Sequence, residues 1–133
     1  MTVLDTHVLV WLAEDSPSLG RRAARLADRA MARDQLLVCA ISFWEIAMLA
    51  AKRRLRLALT AATIRQRVLE QGIREVAVSG AIAIAAAELA GLHGDPADRL
   101  IVATALSLEG TLVTGDESIL GWRGPLRRRD ARR

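Results

Sequence analysis

Four carboxylates interrupt the most apolar stretches of this chain: Asp5 in VLDTHVLVWL, Glu45 in AISFWEIAML, Asp98 in DPADRLIVATA and Asp116 in LVTGDESI. An ionised carboxylate buried without a partner is very costly. A fold that scattered these four through its core would meet that cost four times, so the fold has to gather them around one counter-ion. The natural candidate is a hard divalent cation, which takes oxygen ligands.

Periodicity says how the gathering can happen. Thr2 to Leu4 is a short apolar strand, and Asp5-Thr6 opens a helix to about Glu14. A turn containing Pro17 leads to a long helix ending near Asp34. Leu36 to Ala40 is apolar without alternation, as a parallel strand covered on both faces is. Ser42 is expected to cap the next helix, which carries Trp44 and Glu45 and runs to about Arg53. Thr60 begins another helix that Gly72 stops. Ile73 to Val78 alternates and suits a strand near an edge. An alanine-rich helix follows from Ser79 or Gly80 to Ala90. Asp95-Pro96 then opens a helix as N-cap and first-turn proline, and Thr111 to Val113 is the last clear strand.

Repeated strand–helix units predict a three-layer α/β/α fold around a mainly parallel sheet of four to five strands. In such sheets sites form beyond the carboxyl ends of the strands. Asp5 follows the first strand and Asp116 the last, while Glu45 and Asp98 sit in the first turns of their helices. Parallel strands would bring all four to one edge.

The 133 residues make one domain. We expect it to span residues 1–122, followed by a frayed basic tail at 123–133 holding Arg123, Arg127, Arg128, Arg129, Arg132 and Arg133. Cys39 is the only cysteine, so neither an intrachain disulfide nor a cysteine-rich zinc site can form. No export signal and no spanning segment is visible, so a cytoplasmic protein without membrane contact is expected. The net charge is +4, and the positive charge is almost all arginine, Lys52 being the only lysine. Arginine suits bidentate phosphate contacts, but general solubility charge gives the same balance.

Each acid also has a local reading. Asp5 suits an N-cap, and Asp116 suits a Gly-Asp turn. Asp98 could serve the helix dipole, yet it shares the inward face of Ile101 and Val102. Glu45, among Phe43, Trp44 and Ile46, is hardest to explain without a partner. Asp95 is assigned to capping and left out of the metal site. The hydroxyls of Thr6 and Thr114 either hold carboxylates and water in place or are plain cap and turn groups. His93 either approaches the site or serves its own loop, and His7 and Trp11, one turn apart, are assigned to packing.

Four blocks, LDTHVLVWLAE, AISFWEIAMLAAKRRL, LHGDPADRLIVATAL and TLVTGDESI, resemble those of the PIN-domain ribonucleases, in particular the VapC toxins of bacterial type II toxin–antitoxin systems. They span nearly the whole chain in the family's order. The resemblance implies that Asp5, Glu45, Asp98 and Asp116 are catalytic metal ligands for Mg²⁺, with Mn²⁺ possible. It further implies endonucleolytic cleavage of an RNA substrate, a homodimer, and neutralisation by a cognate VapB-like antitoxin. After Asp116 the chain departs from the pattern, and the final strand is expected to be short, shifted or absent.

Two basic clusters are candidates for RNA contact: Arg22, Arg25, Arg29 and Arg33 on one helix face, and Lys52, Arg53, Arg54 and Arg56 near a helix end. The first equally suits a solvated face balanced by Asp28 and Asp34. The second suits a helix C-terminus, where cations are favoured. The alternative to an enzyme is a catalytically weak PIN module that binds RNA or a protein partner. A phospho-receiver is rejected, because no acid follows Ile73 to Val78 and the only lysine is Lys52.

Overall fold

The computed structural model describes residues 1–133. The first half runs β1 (Thr2–Leu4), α1 (Thr6–Ala13), α2 (Arg21–Ala32), β2 (Leu36–Cys39), α3 (Ile41–Ala51) and α4 (Ala61–Glu70). The second runs β3 (Arg74–Val76), α5 (Gly80–Ala87), α6 (Pro96–Ser107), β4 (Thr111–Thr114), α7 (Glu117–Leu120) and β5 (Arg127–Asp130). The strands form one sheet in the order β3-β2-β1-β4-β5. Every pair is parallel.

The chain builds outward from β1 through β2 to β3, then returns to the other side of β1 with β4. That reversal opens a crevice at the carboxyl ends of β1 and β4, where α/β sheets place their sites. Asp5 follows one strand and Thr114 ends the other.

Alternation along the strands divides the core. Leu4, Leu36, Val38 and Val113 pack with Val8, Ala27, Ile46 and Ile64 from the first four helices. Val3, Leu37 and Leu112 pack with Ile101, Val102 and Ile119 on the opposite face. α5 lies outside α6, with Ile82 and Ala86 against Ala103. β1 and β2 are buried at every position, which explains why both appear as unbroken apolar runs. β3 is the expected edge strand, and Gly72 ends α4 with a φ of 98°.

Two expectations are corrected. Ser42 does not cap α3: the helix starts two residues earlier than such a cap would place it, at Ile41, Ala40 holds the cap position, and Ser42 is buried with its hydroxyl 2.9 Å from that of Thr6. The residues assigned to a separate frayed tail, 123–133, instead contain β5, paired to β4 from Arg127 opposite Thr111 to Asp130 opposite Thr114. The strand RRRD has no apolar residue of its own. Its anchors lie just outside it: Leu126 is buried on one face of the sheet and Ala131 on the other. Beyond β5, the Gly20 N–H donates to Ala131 O at 2.8 Å and the Ala23 N–H to Arg133 O at 2.9 Å. Charged side chains on an edge strand also oppose pairing with another chain.

Candidate metal centre

Asp5 is only 4% exposed. As N-cap of α1 it accepts the Thr6 N–H on Oδ1 at 2.8 Å. Its other oxygen accepts the Thr114 hydroxyl at 2.6 Å. That same hydroxyl accepts the Asp116 N–H at 3.0 Å. Thr114 therefore ties the acid after β1 to the acid after β4. Asp116 in turn caps α7 through Oδ1, which accepts the Ile119 N–H at 3.0 Å, and its second oxygen has no donor from the protein.

Asp98 stands at the centre. One of its oxygens lies within 4.8 Å of ligand atoms of His93 and Asp116, and likewise within 4.8 Å of carboxylate oxygens of Glu45 and Asp95. Asp5 is outside both groups, but its charge reaches Asp98 and Glu45. The structure thus brings the four predicted acids to one edge of the sheet. It adds two residues, Asp95 and His93.

Asp95 does cap α6, accepting the Ala97 and Asp98 N–H groups on Oδ1 at 3.0 and 3.3 Å. Capping uses one oxygen, so a cap and a site carboxylate can be the same residue. The sequence identifies the capping role, and the structure adds a carboxylate oxygen within 4.8 Å of those of Asp98 and Glu45. His93 accepts the Asp95 N–H on Nδ1 at 3.3 Å. In the neutral ring that leaves the proton on Nε2, 3.3 Å from Asp98 Oδ2 and without any other protein partner. His93 therefore serves its loop and faces the site at once. His7, assigned to packing, is exposed, and its positive form would favour ionisation of Asp5 and Glu45.

The electrostatics follow from crowding. Burial and then the charges of Asp5, Asp95, Asp116 and Glu45 push the Asp98 carboxyl up to about 8. Burial raises Glu45, with the Thr6 hydroxyl opposing it and Asp5 adding to it. Burial raises Asp5 as well, against the bonds from Thr114 and Thr6. The Thr6 hydroxyl donates to the Ser42 hydroxyl at 2.9 Å and also favours the ionised form of Glu45. No arginine neutralises the cluster. Arg99, the nearest in sequence, directs its guanidinium to five backbone carbonyls, of Ala86, Ala87, Leu89, Leu92 and His93, at 2.7 to 3.3 Å. Those bonds fasten the end of α5 and the loop that presents His93. The donor set is therefore carboxylate oxygens with one imidazole at the rim and no protein cation among them. That chemistry fits a hard divalent ion.

A sequence model of the PIN domain family matches residues 2–120. The chain belongs to the PIN domain family. Ribonuclease VapC22 of Mycobacterium tuberculosis is 36% identical over 124 residues, covering 92% of both chains. Among solved structures, VapBC2 from Rickettsia felis, bound to a DNA fragment from their promoter, superposes with a TM-score of 0.72 at 16% identity over 96% of both chains. FitAcB from Neisseria gonorrhoeae gives 0.69 at 20% identity over 98% of both. At these identities the solved structures establish a shared fold.

In this PIN domain the two predicted basic clusters part company. Arg22, Arg25 and Arg29 line a groove with residues of the β5 end. Lys52, Arg53 and Arg54 are exposed beyond α3, with Arg53 in the left-handed region at φ 56°. No helix is long and apolar enough to cross a membrane.

Proposed function

We propose that this PIN domain is a Mg²⁺- or Mn²⁺-dependent endoribonuclease, the toxin of a VapBC-type pair. The observation that carries this reading is Asp98. It is crowded by four other carboxylates, held up to about 8, and has no protein cation to relieve it. Similarity to Ribonuclease VapC22 over 92% of the chain supports the substrate class.

Asp98, Glu45 and Asp116 would hold the ion directly, with Asp5 completing the site from beneath. A bound divalent ion would activate a water and stabilise the leaving oxygen of a phosphodiester. Thr114 holds Asp5 in its rotamer and links it to the Asp116 backbone. Thr6 and Ser42 orient Glu45 from the other side. Asp95 keeps α6 at the angle that delivers Asp98 and adds its charge to the site. Lys52, Arg53 and Arg54 are placed on the RNA side of this reading as backbone contacts.

The partners follow from the same reading: an RNA substrate, a cognate VapB-like antitoxin, and a second copy of the chain, all in the cytoplasm. A solved toxin–antitoxin complex from Klebsiella pneumoniae shares this fold, which supports the antitoxin. For the homodimer, α1 buries Val8, Leu9 and Val10 in its own core, so the surplus apolar surface is Trp44, 57% exposed, with Ile84 at 62% and Val78. A monomer by light scattering at micromolar concentration would refute the dimer.

The deciding experiment incubates purified protein with total cellular RNA in Mg²⁺, in Mn²⁺ and in EDTA, beside Asp98→Asn, and sequences the new 5′ ends. Discrete metal-dependent cuts that the variant lacks are expected. Cuts that survive the substitution would point to a contaminant. No cuts at all would favour a catalytically weak module that binds RNA or a protein.

A further inference from the structure

A groove of about 370 Å³ lies between α2 and the end of β5, lined by Arg22, Arg25, Arg29, Arg129, Arg133 and Asp130. Its construction follows from two patterns. α2 turns Ala23, Ala27 and Ala30 into the core, which lets it lie close to the sheet and puts its arginines on the outward side. On β5, alternation puts Arg129 on the same face as Ala131, which packs in the cluster that includes α2. The two walls therefore present guanidinium groups to one another across a cleft.

The nearby acids compensate only in part: Asp28, on α2 itself, is exposed, does not line the groove and makes no ion pair. None of the ion pairs of the structure involves Arg22, Arg25, Arg29 or Arg129. Asp34, which could have neutralised α2, pairs with Arg74 at 3.5 Å. Asp130 is gripped on both oxygens by Arg132, at 2.9 and 2.8 Å. Five guanidinium groups thus share a groove with a single, already satisfied carboxylate. Of the five only Arg133 reaches that carboxylate, at 3.9 Å, and holding four unpaired like charges together disfavours the free protein and favours an anion with repeated charges.

The groove is also placed usefully. Asp130 lies opposite Thr114 across β4 and β5, about 4.8 Å away by the spacing of paired strands. Thr114 holds Asp5. The β5 end of the groove is therefore one strand removed from the hydroxyl that holds Asp5.

We propose that this α2–β5 groove is an anchoring site for the phosphodiester backbone of the RNA strand, at nucleotides flanking the one at the acidic centre. The proposal rests on the ribonuclease reading and adds to it a site distinct from the metal ligands. Recognition there is of backbone charge, since the groove offers guanidinium forks and no aromatic platform.

The test measures binding without cleavage. Asp98→Asn protein in EDTA is titrated against a fluorescein-labelled oligoribonucleotide pool of random sequence, and anisotropy is followed over a range of salt. Adding Arg25→Gln and Arg29→Gln is expected to weaken binding about tenfold and to flatten the log–log salt slope by about 1.4, close to 0.7 for each lost contact to a single strand. A control pair elsewhere, Arg67→Gln with Arg123→Gln, both exposed and in no ion pair, removes the same charge and is expected to leave both quantities nearly unchanged. Equal effects from both pairs would reduce the groove to net charge and overturn the proposal, as would no effect from either. Polyglutamate binding that depends on Arg25 and Arg29, with RNA binding that does not, would overturn it in favour of an acidic protein segment. Melting curves check each variant. If the double loses its fold, Arg25→Gln and Arg129→Gln, one on each wall, carry the same test singly. Failure of the ribonuclease reading shows separately, as absence of metal-dependent cuts by the wild-type protein.

Discussion

Asp98→Asn should make the metal-free protein more stable at alkaline pH, although it removes the central acid of the site. In the unfolded chain this carboxyl titrates near 3.8, and in the folded chain near 8. The folded state therefore holds the proton more tightly. Below about pH 4 both states are protonated and the group is neutral to stability. Between there and pH 8 the folded state must keep a proton that the unfolded state has lost. Stability then falls by up to about 1.4 kcal/mol per pH unit. Over the whole interval the ceiling is about 6 kcal/mol. Asp98 keeps 14% of its side chain exposed, and neighbouring carboxylates share the proton load, so about 2–3 kcal/mol is the expected loss. Asparagine keeps the shape, removes the charge and forfeits only about 0.5 kcal/mol of helix-dipole interaction. Urea denaturation in EDTA at pH 5, 6.5 and 8.5 would show wild type weakening with pH while the variant stays nearly level, the two converging at the acid end. Mg²⁺ at pH 8.5 should restore wild type by mass action and leave the variant almost unmoved. Parallel pH profiles, or a variant less stable than wild type at pH 8.5 without metal, would refute the argument that unrelieved carboxylate crowding defines this site.

Thr114→Val should lower stability by about 1–3 kcal/mol, because buried Asp5 loses one of its two donors and the Asp116 N–H loses its acceptor. Calorimetric titration should also show about 10- to 100-fold weaker Mg²⁺ binding; wild-type affinity would refute the role given to the hydroxyl. Gly20→Ala should cost about 1–3 kcal/mol, since a Cβ there collides with the Arg133 backbone and pushes the last residues off α2, and an unchanged melting temperature would show that this closure is not part of the stable fold. Arg99→Met keeps the apolar stem but removes five donors to carbonyls; hydrogen exchange should accelerate across residues 88–95, with a stability loss of about 2–3 kcal/mol.

The acids show unevenly how far a sequence carries such reasoning. Glu45 stands in an apolar run, so its partial burial and its need for a partner are visible in one dimension, although Trp44 beside it proves exposed. Asp116 is different. Its local setting is ordinary turn chemistry, and tertiary neighbours make it part of a site: the Thr114 hydroxyl, bonded to Asp5 109 positions away, and Asp98 and His93 within 4.8 Å. Asp95 caps α6 as its local sequence indicates, and only the folded structure shows its carboxylate also lying within 4.8 Å of Asp98 and Glu45. Ser42 looked like a cap because it stands just before an apolar helix; the chain instead begins that helix at Ile41 and turns the hydroxyl toward Thr6. β5 escaped pattern reading altogether. Edge strands need only backbone groups and an anchor at each end, and RRRD carries neither alternation nor apolar content.

The sequence by itself determined the elements whose signal is local: the apolar runs of β1, β2 and β4, the capped starts of α1, α4, α5 and α6, and the candidate acids at their ends. Burial and backbone chemistry act within a few residues there, so neighbours in sequence suffice. Tertiary structure decided the rest: the strand order, the fifth strand, the inclusion of Asp95 and His93, and the meeting of α2 with the arginines of β5. Those depend on electrostatics and packing between groups far apart in sequence, whose distances are fixed only when the sheet is assembled.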